Sequence, residues 1–327
     1  MFRIGRRSRI FFVCALLIAP WIIQVIPTIS HYLDVLVFAG IYTLITIGLS
    51  LLMGYAGQIS LGHAAFFGIG AYISGILTVQ YEWNPWFCML VGVVVTVLVA
   101  FLIGTPALKL KGHYLAMATL AFGIVVFIFF NEEVAVTGGP DGMGGIPGLS
   151  IWGYSFDTEL KYYYLVWGIV AAVFLFSVNL VHSRLGRALR AIHTSEIGAN
   201  AMGVNVSVYK IQIFVYSAAL ASIAGSLYAH YINFISPGTF DLSFSVKLLI
   251  MIVIGGMYSI WGAILGAVLI SFLSFEWLEM FKEYEILVFG LILLFVTIFL
   301  PDGIISLPKK LRGIMGKSKK PSGQKRD

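Results

Sequence analysis

Apolar runs long enough to cross a lipid bilayer follow one another along most of this chain. A helix needs about 20 mainly apolar residues to span the hydrocarbon core. The runs are residues 10–27, 33–53, 63–81, 86–106, 113–131, 162–182, 210–230, 244–256, 260–281 and 284–301. The run 244–256 is too short to cross alone, so we expect a half-crossing helix there. The sequence therefore predicts an all-α polytopic membrane protein with about ten transmembrane elements, including broken or half-crossing helices.

Charged residues are few, and most of the basic ones lie in clusters between the apolar runs. The chain is 59% hydrophobic and 11% charged, against roughly 25% charged residues in an average soluble domain. Lysine and arginine cluster at the N-terminus, at 184–193 and at 309–326. This is the positive-inside distribution of a membrane protein, and it does not indicate nucleic-acid binding. It predicts that both termini are cytoplasmic, which requires an even number of crossings.

The same distribution suggests one transmembrane domain, residues 1–308, followed by a basic cytoplasmic tail, residues 309–327. Four arginines precede the first apolar run as in a signal peptide, but no small-residue cleavage site follows, so we expect a retained first helix. The loop 132–161 is expected to be extracytoplasmic, and its glycines, prolines and apolar residues predict an irregular segment packed against the helices. The loop 183–209 is expected on the cytoplasmic side.

A glycine-rich segment interrupts the apolar runs near the start of the chain. Residues 54–70 have the sequence GYAGQISLGHAAFFGIG, which places glycines and polar side chains at membrane depth. Irregular backbone is tolerated there only when it is buried in protein or lines a cavity, and such segments often mark a transport path. Close helix packing through small residues would use the same glycines, so both interpretations stay open. The candidate path residues are Gly54, Gly57, Gln58, Ser60, Gly62 and His63.

Helical signals occur in the loop 183–209. Three arginines at three-residue spacing share one face of a predicted helix, with leucine and isoleucine on another. These arginines are Arg184, Arg187 and Arg190. Thr194 or Ser195 can cap a second short helix, and Gly203 can end it. Two short helices in such a loop are typical of a docking element, and the alternative is an amphipathic segment whose arginines contact lipid headgroups.

The chain lacks the motifs of common catalytic and nucleotide-binding sites. No G-x-x-x-x-G-K-[ST] phosphate loop, H-E-x-x-H zinc motif or G-x-S-x-G nucleophile elbow occurs. Cys14 and Cys88 lie inside apolar runs, so we expect buried small side chains there, and no metal or other cofactor. The centres of the runs hold no carboxylate, which proton- or sodium-coupled carriers usually need. The sequence therefore favours a pore subunit driven by a partner over an enzyme or a self-sufficient carrier.

Seven sequence blocks between residues 35 and 306 occur in the order known from one transporter family. They are LSLLMGYAGQISLGHAAFFGIGAY (49–72), KGHYLAMATLAF (111–122), TGGPDGMGGIPG (137–148), RLGRALRAIHTSEIGANAMGVNVSVYKIQIFVYSAALASIAGSLYA (184–229), ISPGTF (235–240), IVIGGMYSIWGAILGA (252–267) and FLPDGIISL (299–307). In these blocks the chain resembles LivM-type permease subunits of branched-chain amino acid ABC transporters. The GGPDG loop and the run RAIHTSE are the more specific signals. Where that family usually carries Arg-Glu-Asn-Glu, this chain has His193-Thr194-Ser195-Glu196.

The resemblance implies a type II ABC importer-like permease fold in the bacterial cytoplasmic membrane, with several partners. A second homologous permease would complete the translocation path, two cytoplasmic ATP-binding subunits would drive it, and an extracytoplasmic substrate-binding protein would deliver the substrate. The helices within 184–203 would then seat in a groove on an ATPase subunit. The residues expected in that coupling contact are Arg184, Arg187, Arg190, Glu196, Ala199, Ala201 and Gly203.

The implied substrates are Leu, Ile and Val. A path lined by small residues and few fixed charges suits a zwitterion with an aliphatic side chain. Related permeases for urea and short-chain amides share the GQxSLGHAAF block, so a permease of that kind is one alternative. A stand-alone secondary amino-acid carrier is the other, and ATPase genes beside this one would argue against it.

Overall fold

The computed structural model of the chain describes residues 32–110, 112–151, 153–277, 284–300 and 303–306. The helices there are α1 (Tyr32–Leu49, continued by a π-helical turn, Ser50–Tyr55), α2 (His63–Gln80), α3 (Pro85–Ala107), α4 (His113–Glu132), α5 (Val134–Thr137), α6 (Glu159–His182), α7 (Arg184–Thr194), α8 (Glu196–Ala201), α9 (Val206–Ile232), α10 (Leu242–Gly255), α11 (Ile260–Phe272, continued by a π-helical turn, Leu273–Trp277) and α12 (Glu285–Phe299). Short 3-10 turns lie at Gly139–Asp141, Pro237–Phe240 and Ile304–Ser306. Four two-residue strands complete the described elements: β1 (Met143–Gly144), β2 (Ser150–Ile151), β3 (Tyr154–Ser155) and β4 (Phe234–Ile235).

The predicted apolar runs correspond to helices wherever the structure describes them. Six of these helices are long and apolar enough to cross a membrane, namely α1, α2, α3, α4, α6 and α9. The described parts of the three last runs form shorter apolar helices. The predicted all-α membrane class is therefore confirmed. The first run (10–27), the end of the ninth run (278–281) and the tail (309–327) lie outside the described residues.

The run 244–256 forms the short apolar helix α10, which has 14 residues. At about 1.5 Å per residue it extends roughly 21 Å, short of the hydrocarbon thickness of about 30 Å. The chain then turns back through residues 256–259, and α11 packs against α10. The short length and the reversal agree with the prediction from the run 244–256.

Polar side chains determine where many of the helices begin. Each cap residue accepts a hydrogen bond from a backbone N–H in the first turn, which would otherwise lack a partner. The capping side chains are those of Asn84, Thr158, Ser183, Ser195, Asn205 and Asp241. Each immediately precedes its helix, so these boundaries are encoded locally.

Helices α1 and α9 occupy the centre of the bundle. Helix α1 packs against α6, α9 and α11, and α9 also packs against α2 and α3. Helices α2 and α9 approach each other closely at Gly225. A Cβ on this residue would lie only 1.9 Å from the carbonyl oxygen of Phe67. In contrast, α3 and α4 lie at the edge and expose many apolar side chains, among them Leu90, Val94, Leu98, Phe101, Leu102, Met117, Val125, Ile128 and Phe129. Such a surface suits lipid or another membrane subunit.

The long loop between α4 and α6 packs down on the helices, as its apolar residues predicted. Strand β1 pairs with β4, strands β2 and β3 form a hairpin, and Ile146 and Leu149 are buried. His230 holds the loop: its Nδ1 lies 2.7 Å from the carbonyl oxygen of Pro147, and its Nε2 lies 2.8 Å from Oγ of Ser74. We call this end of the bundle the loop end, and the opposite end, which carries residues 183–209, the basic end.

Candidate functional site

The predicted interruption of the membrane helices is present between α1 and α2. The π-helical turn ends at Tyr55, and residues 57–62 have no regular secondary structure before α2 begins at His63. Burial alternates along this stretch, which we call the broken segment. Its exposed residues are Gly57 and Ile59, and its buried polar residues are Gln58 and Ser60. One edge of the broken segment is thus open, whereas the other lies inside the bundle.

His63 connects the broken segment to the centre of the bundle. Its Nδ1 lies 3.1 Å from Oγ of Ser60, and its Nε2 lies 2.7 Å from Oγ of Ser217 on α9. The ring is buried and meets the edges of Phe66 and Phe214. With both ring nitrogens paired, His63 acts here as a buried structural bridge.

Two of the candidate path glycines allow backbones to pack closely. A Cβ at Gly54 would lie 1.8 Å from the carbonyl oxygen of Met257, and a Cβ at Gly62 would lie 2.7 Å from that of Thr119. Gly54 and Gly62 therefore fit the interpretation in which the glycines allow close helix packing. Gly57 differs because it is exposed and has a φ of +68°, which favours glycine.

Gln58 is the most unusual polar group of the broken segment. Its side chain is 2% exposed, and among the described residues neither its amide nitrogen nor its amide oxygen has a hydrogen-bond partner. Leaving a buried polar group unpaired costs about 1–3 kcal/mol, so such groups in native proteins usually pair with water or a ligand. The amide can both donate to a carboxylate and accept from an ammonium group.

At the basic end, α7 is an amphipathic helix bound tightly to the end of α6. Its buried residues include Leu189 and Ile192, whereas Arg184 and Arg187 are exposed. Two of the predicted arginines turn back to α6. Nη1 of Arg187 donates to the carbonyl of His182 over 3.4 Å, and Nη1 of Arg190 donates to the carbonyl of Val181 over 3.3 Å. These contacts satisfy free carbonyls at a helix C-terminus, where positive charge is favoured.

Helix α8 begins and ends where the sequence predicted. Ser195, one of the two proposed caps, accepts a hydrogen bond from the backbone N–H of Gly198. Gly203 has a φ of +81°, and the N–H of Val204 bonds the carbonyl of Ala199 over 3.0 Å, which closes the helix end. The local capping rules therefore account for this short helix.

The predicted coupling residues do not all face the same way. Ala201 and Gly203 are exposed, but Ala199 is 1% exposed and packs in a small cluster with Ile192 and Val206. Its burial makes it unavailable as a contact surface in this conformation. Glu196 forms an ion pair with Lys210 at the start of α9, and Lys210 is 4% exposed. The part these residues play in contact with a partner stays a prediction.

Three residues of this region were not predicted from the sequence. Lys210 is the partner of Glu196, and a lysine near the start of an apolar run was its only signal. Gly186 lets α7 turn back onto α6, since a Cβ there would lie 2.1 Å from the carbonyl oxygen of Val181. His193 contacts the broken segment, and its departure from the usual family residue was the available clue. In the described part of the chain, no three His, Cys, Asp or Glu side chains are grouped so that they could hold a metal ion.

Comparison with known proteins agrees with this architecture. Residues 31–297 match the family described as "Branched-chain amino acid transport system / permease component". The chain is 32% identical to the high-affinity branched-chain amino acid transport system permease protein LivM of Escherichia coli K12, over 84% of this chain and 70% of that protein. It is 28% identical to the high-affinity branched-chain amino acid transport system permease protein BraD of Pseudomonas aeruginosa, over 86% of this chain and 98% of BraD.

The permease protein LivH of Escherichia coli K12 is a more distant relative, 26% identical over 82% of this chain and 92% of LivH. No solved structure matches the chain at a significant level. The family match and the apolar helices identify a multi-pass membrane protein that works in transport and is not an enzyme. The chain belongs to the permease-component family of branched-chain amino acid transport systems.

Proposed function

We propose that this chain is the transmembrane permease subunit of an ABC importer for the branched-chain amino acids Leu, Ile and Val. The observation that carries the proposal is its 32% identity, over 84% of its length, to permeases named for that transport. With a second homologous permease it forms the translocation path. Two cytoplasmic ATP-binding subunits drive the cycle, and an extracytoplasmic binding protein supplies the substrate.

The broken segment is the proposed part of the path within this chain. Its support is the combination of an open edge at Gly57 and Ile59 with the unpartnered amide of Gln58. A zwitterionic amino acid carries both the acceptor and the donor that this amide lacks. Irregular backbone at membrane depth is also the usual setting of a transporter's substrate site. Gly54, Gly62, Ser60 and His63 hold the segment in place, and Gln58 meets the solute.

The proposed docking surface for an ATPase subunit lies on α7, on α8 and on Met202, which follows α8. It consists of the exposed residues Arg184, Arg187, Ile197, Ala201 and Met202, of which Ile197 is 78% and Met202 74% exposed. Large apolar side chains on short polar helices favour a partner that covers them. A groove with acidic edges on the ATPase would complement the two arginines. Binding of lipid headgroups by the same face is the competing interpretation.

Cysteine cross-linking separates these two interpretations. In a background with Cys14→Ser and Cys88→Ala, Ala201→Cys is expected to cross-link to an ATPase subunit in the assembled complex. Ala199→Cys is the matched control, since it lies on the same helix but is buried. Absence of a cross-link from position 201 in a complex that still transports would favour the lipid interpretation.

Uptake by cells tests the proposed substrate class. Cells lacking this chain should lose high-affinity uptake of radiolabelled leucine, and a plasmid copy should restore it. Excess isoleucine or valine should inhibit the uptake of labelled leucine, whereas urea and acetamide should not. Competition by urea or acetamide alone would assign the amide class instead. Uptake that survives ATP depletion but fails with a proton ionophore would identify a secondary carrier.

A further inference from the structure

Three segments of the chain meet at the basic end of the bundle. They are the π-helical turn with the start of the broken segment, the reversal 256–259 between α10 and α11, and the last turn of α7. The first two are joined directly, because Oγ of Ser50 donates to the carbonyl oxygen of Met257 over 3.0 Å. The bare Cα of Gly54 lies against the same carbonyl group. A displacement of the reversal must therefore also displace the π-helical turn.

His193, in the last turn of α7, contacts both of these segments. Its ring meets the ring of Tyr258 edge to face, with centroids 5.7 Å apart and an interplanar angle of 74°. The ring also lies close to Gly57, where an added Cβ would be 3.0 Å from the imidazole Cδ2. His193, although exposed, thus contacts both the reversal and the first exposed residue of the broken segment.

Helix α7 can move His193 as part of a stiff unit. Its first turn is bound to α6 through Gly186, and Arg190 bonds the carbonyl of Val181. Its inner face is buried through Leu189 and Ile192. Closely packed elements shift between discrete arrangements instead of deforming continuously, so a tilt of α7 carries the imidazole with it.

We propose that His193 is the positioning residue that passes motion of α7 to the broken segment and to the reversal at once. The proposal rests on the proposed function, in which an ATPase subunit moves α7 and the broken segment lines the path. It adds the route between them: α7 pushes the imidazole, and the imidazole pushes Gly57 and Tyr258. The imidazole acts through its shape, because it contacts the aromatic ring of Tyr258 and the backbone of Gly57, which has no side chain.

The test is the number of substrate molecules transported per ATP hydrolysed by the complete transporter in proteoliposomes. His193→Ala should lower this ratio by about fivefold or more, the lower end of typical coupling between two sites. His193→Phe keeps a planar ring and should keep the ratio within about twofold of wild type. Thr194→Ala is the matched control, since among the described residues that exposed hydroxyl bonds only the carbonyl of Arg190 in its own helix. The variant complexes are first compared for yield of assembled protein.

An unchanged ratio in His193→Ala would overturn the proposal, even if transport and hydrolysis both fell, because a parallel fall indicates weakened docking. Failure of His193→Phe to restore the ratio would also overturn it. If the wild-type complex carries another class of solute, the ratio is measured with that solute, so the substrate assignment can fail without affecting this test.

A second measurement tests the partner on the reversal. Tyr258→Ala should lower the same ratio, and the double variant with His193→Ala should lower it no further than the stronger single variant, because both remove one contact. A ratio in the double variant that is lowered by the product of the two single effects would contradict a shared route.

Discussion

The Nε2 atom of His63 lies 2.7 Å from Oγ of Ser217, although 154 positions separate the two residues in the chain. This buried contact ties the start of α2 to the middle of the central helix α9. Because Nδ1 of the same ring lies 3.1 Å from Oγ of Ser60, the broken segment is fixed to the core through one imidazole. Its shape therefore depends on a residue that no local pattern links to it.

Removing the hydroxyl of Ser217 should destabilise the transporter. Ser217→Ala leaves a buried ring nitrogen without its partner, which costs about 1–3 kcal/mol. The expected result is a lower melting temperature of the purified complex. Ser207→Ala, an exposed serine on the same helix, should leave it unchanged. Equal melting temperatures for the two variants would show that the contact contributes nothing to stability.

Replacing Gln58 by leucine should separate transport from stability. The substitution removes a buried amide that has no partner among the described residues, so it should keep or raise the melting temperature of the complex. Uptake should fall by about tenfold or more, since a hydrogen bond to a charged group contributes about 1.5–3 kcal/mol. Gln80→Leu, at the exposed end of α2, is the matched control. Wild-type uptake in Gln58→Leu would remove Gln58 from the path.

Reversing the charge of Glu196 should have a structural effect before any effect on docking. Glu196→Lys leaves the buried ammonium group of Lys210 facing a like charge. We expect a loss of at least about 1 kcal/mol in stability, below the 3–5 kcal/mol of a fully buried pair because Glu196 is partly exposed. The double swap Glu196→Lys with Lys210→Glu should recover most of that loss. The transporter with the double swap can prove as stable as wild type and still hydrolyse ATP without transporting substrate. In that case Glu196 also contacts the ATPase.

The two ends of the bundle should lie on opposite sides of the membrane. Ser150→Cys, exposed at the loop end, should react with a membrane-impermeant maleimide in intact spheroplasts. Ala201→Cys, exposed at the basic end, should react only after permeabilisation. Both variants are made with Cys14→Ser and Cys88→Ala. Labelling of both from the same side would refute the orientation inferred from the positive charges.

The sequence was most informative where structure is encoded locally. Apolar run length located the helices, Ser195 and Gly203 bounded α8, and the glycines of residues 54–62 marked the break before α2. Each of these features depends on neighbouring residues only. They could therefore be predicted without knowledge of the rest of the chain.

Pairings between distant elements could not be predicted in the same way. A helix pattern indicates which face is buried but does not say what covers it, so Ser217 could not be found from His63. For the same reason the sequence did not predict that Glu196 pairs with Lys210 or that Ala199 is buried. In this chain most spans are apolar on all sides, which weakens the facial signal further.

ATP-driven import of branched-chain amino acids through this chain can be measured in a reconstituted system. The most direct measurement is uptake of radiolabelled leucine into proteoliposomes holding the complete transporter, with the binding protein and ATP supplied on their proper sides. We expect leucine to accumulate only when ATP, the binding protein and this chain are present, and isoleucine and valine to inhibit its uptake. Uptake that does not require ATP, or an active complex that transports urea or amides but not leucine, would contradict it.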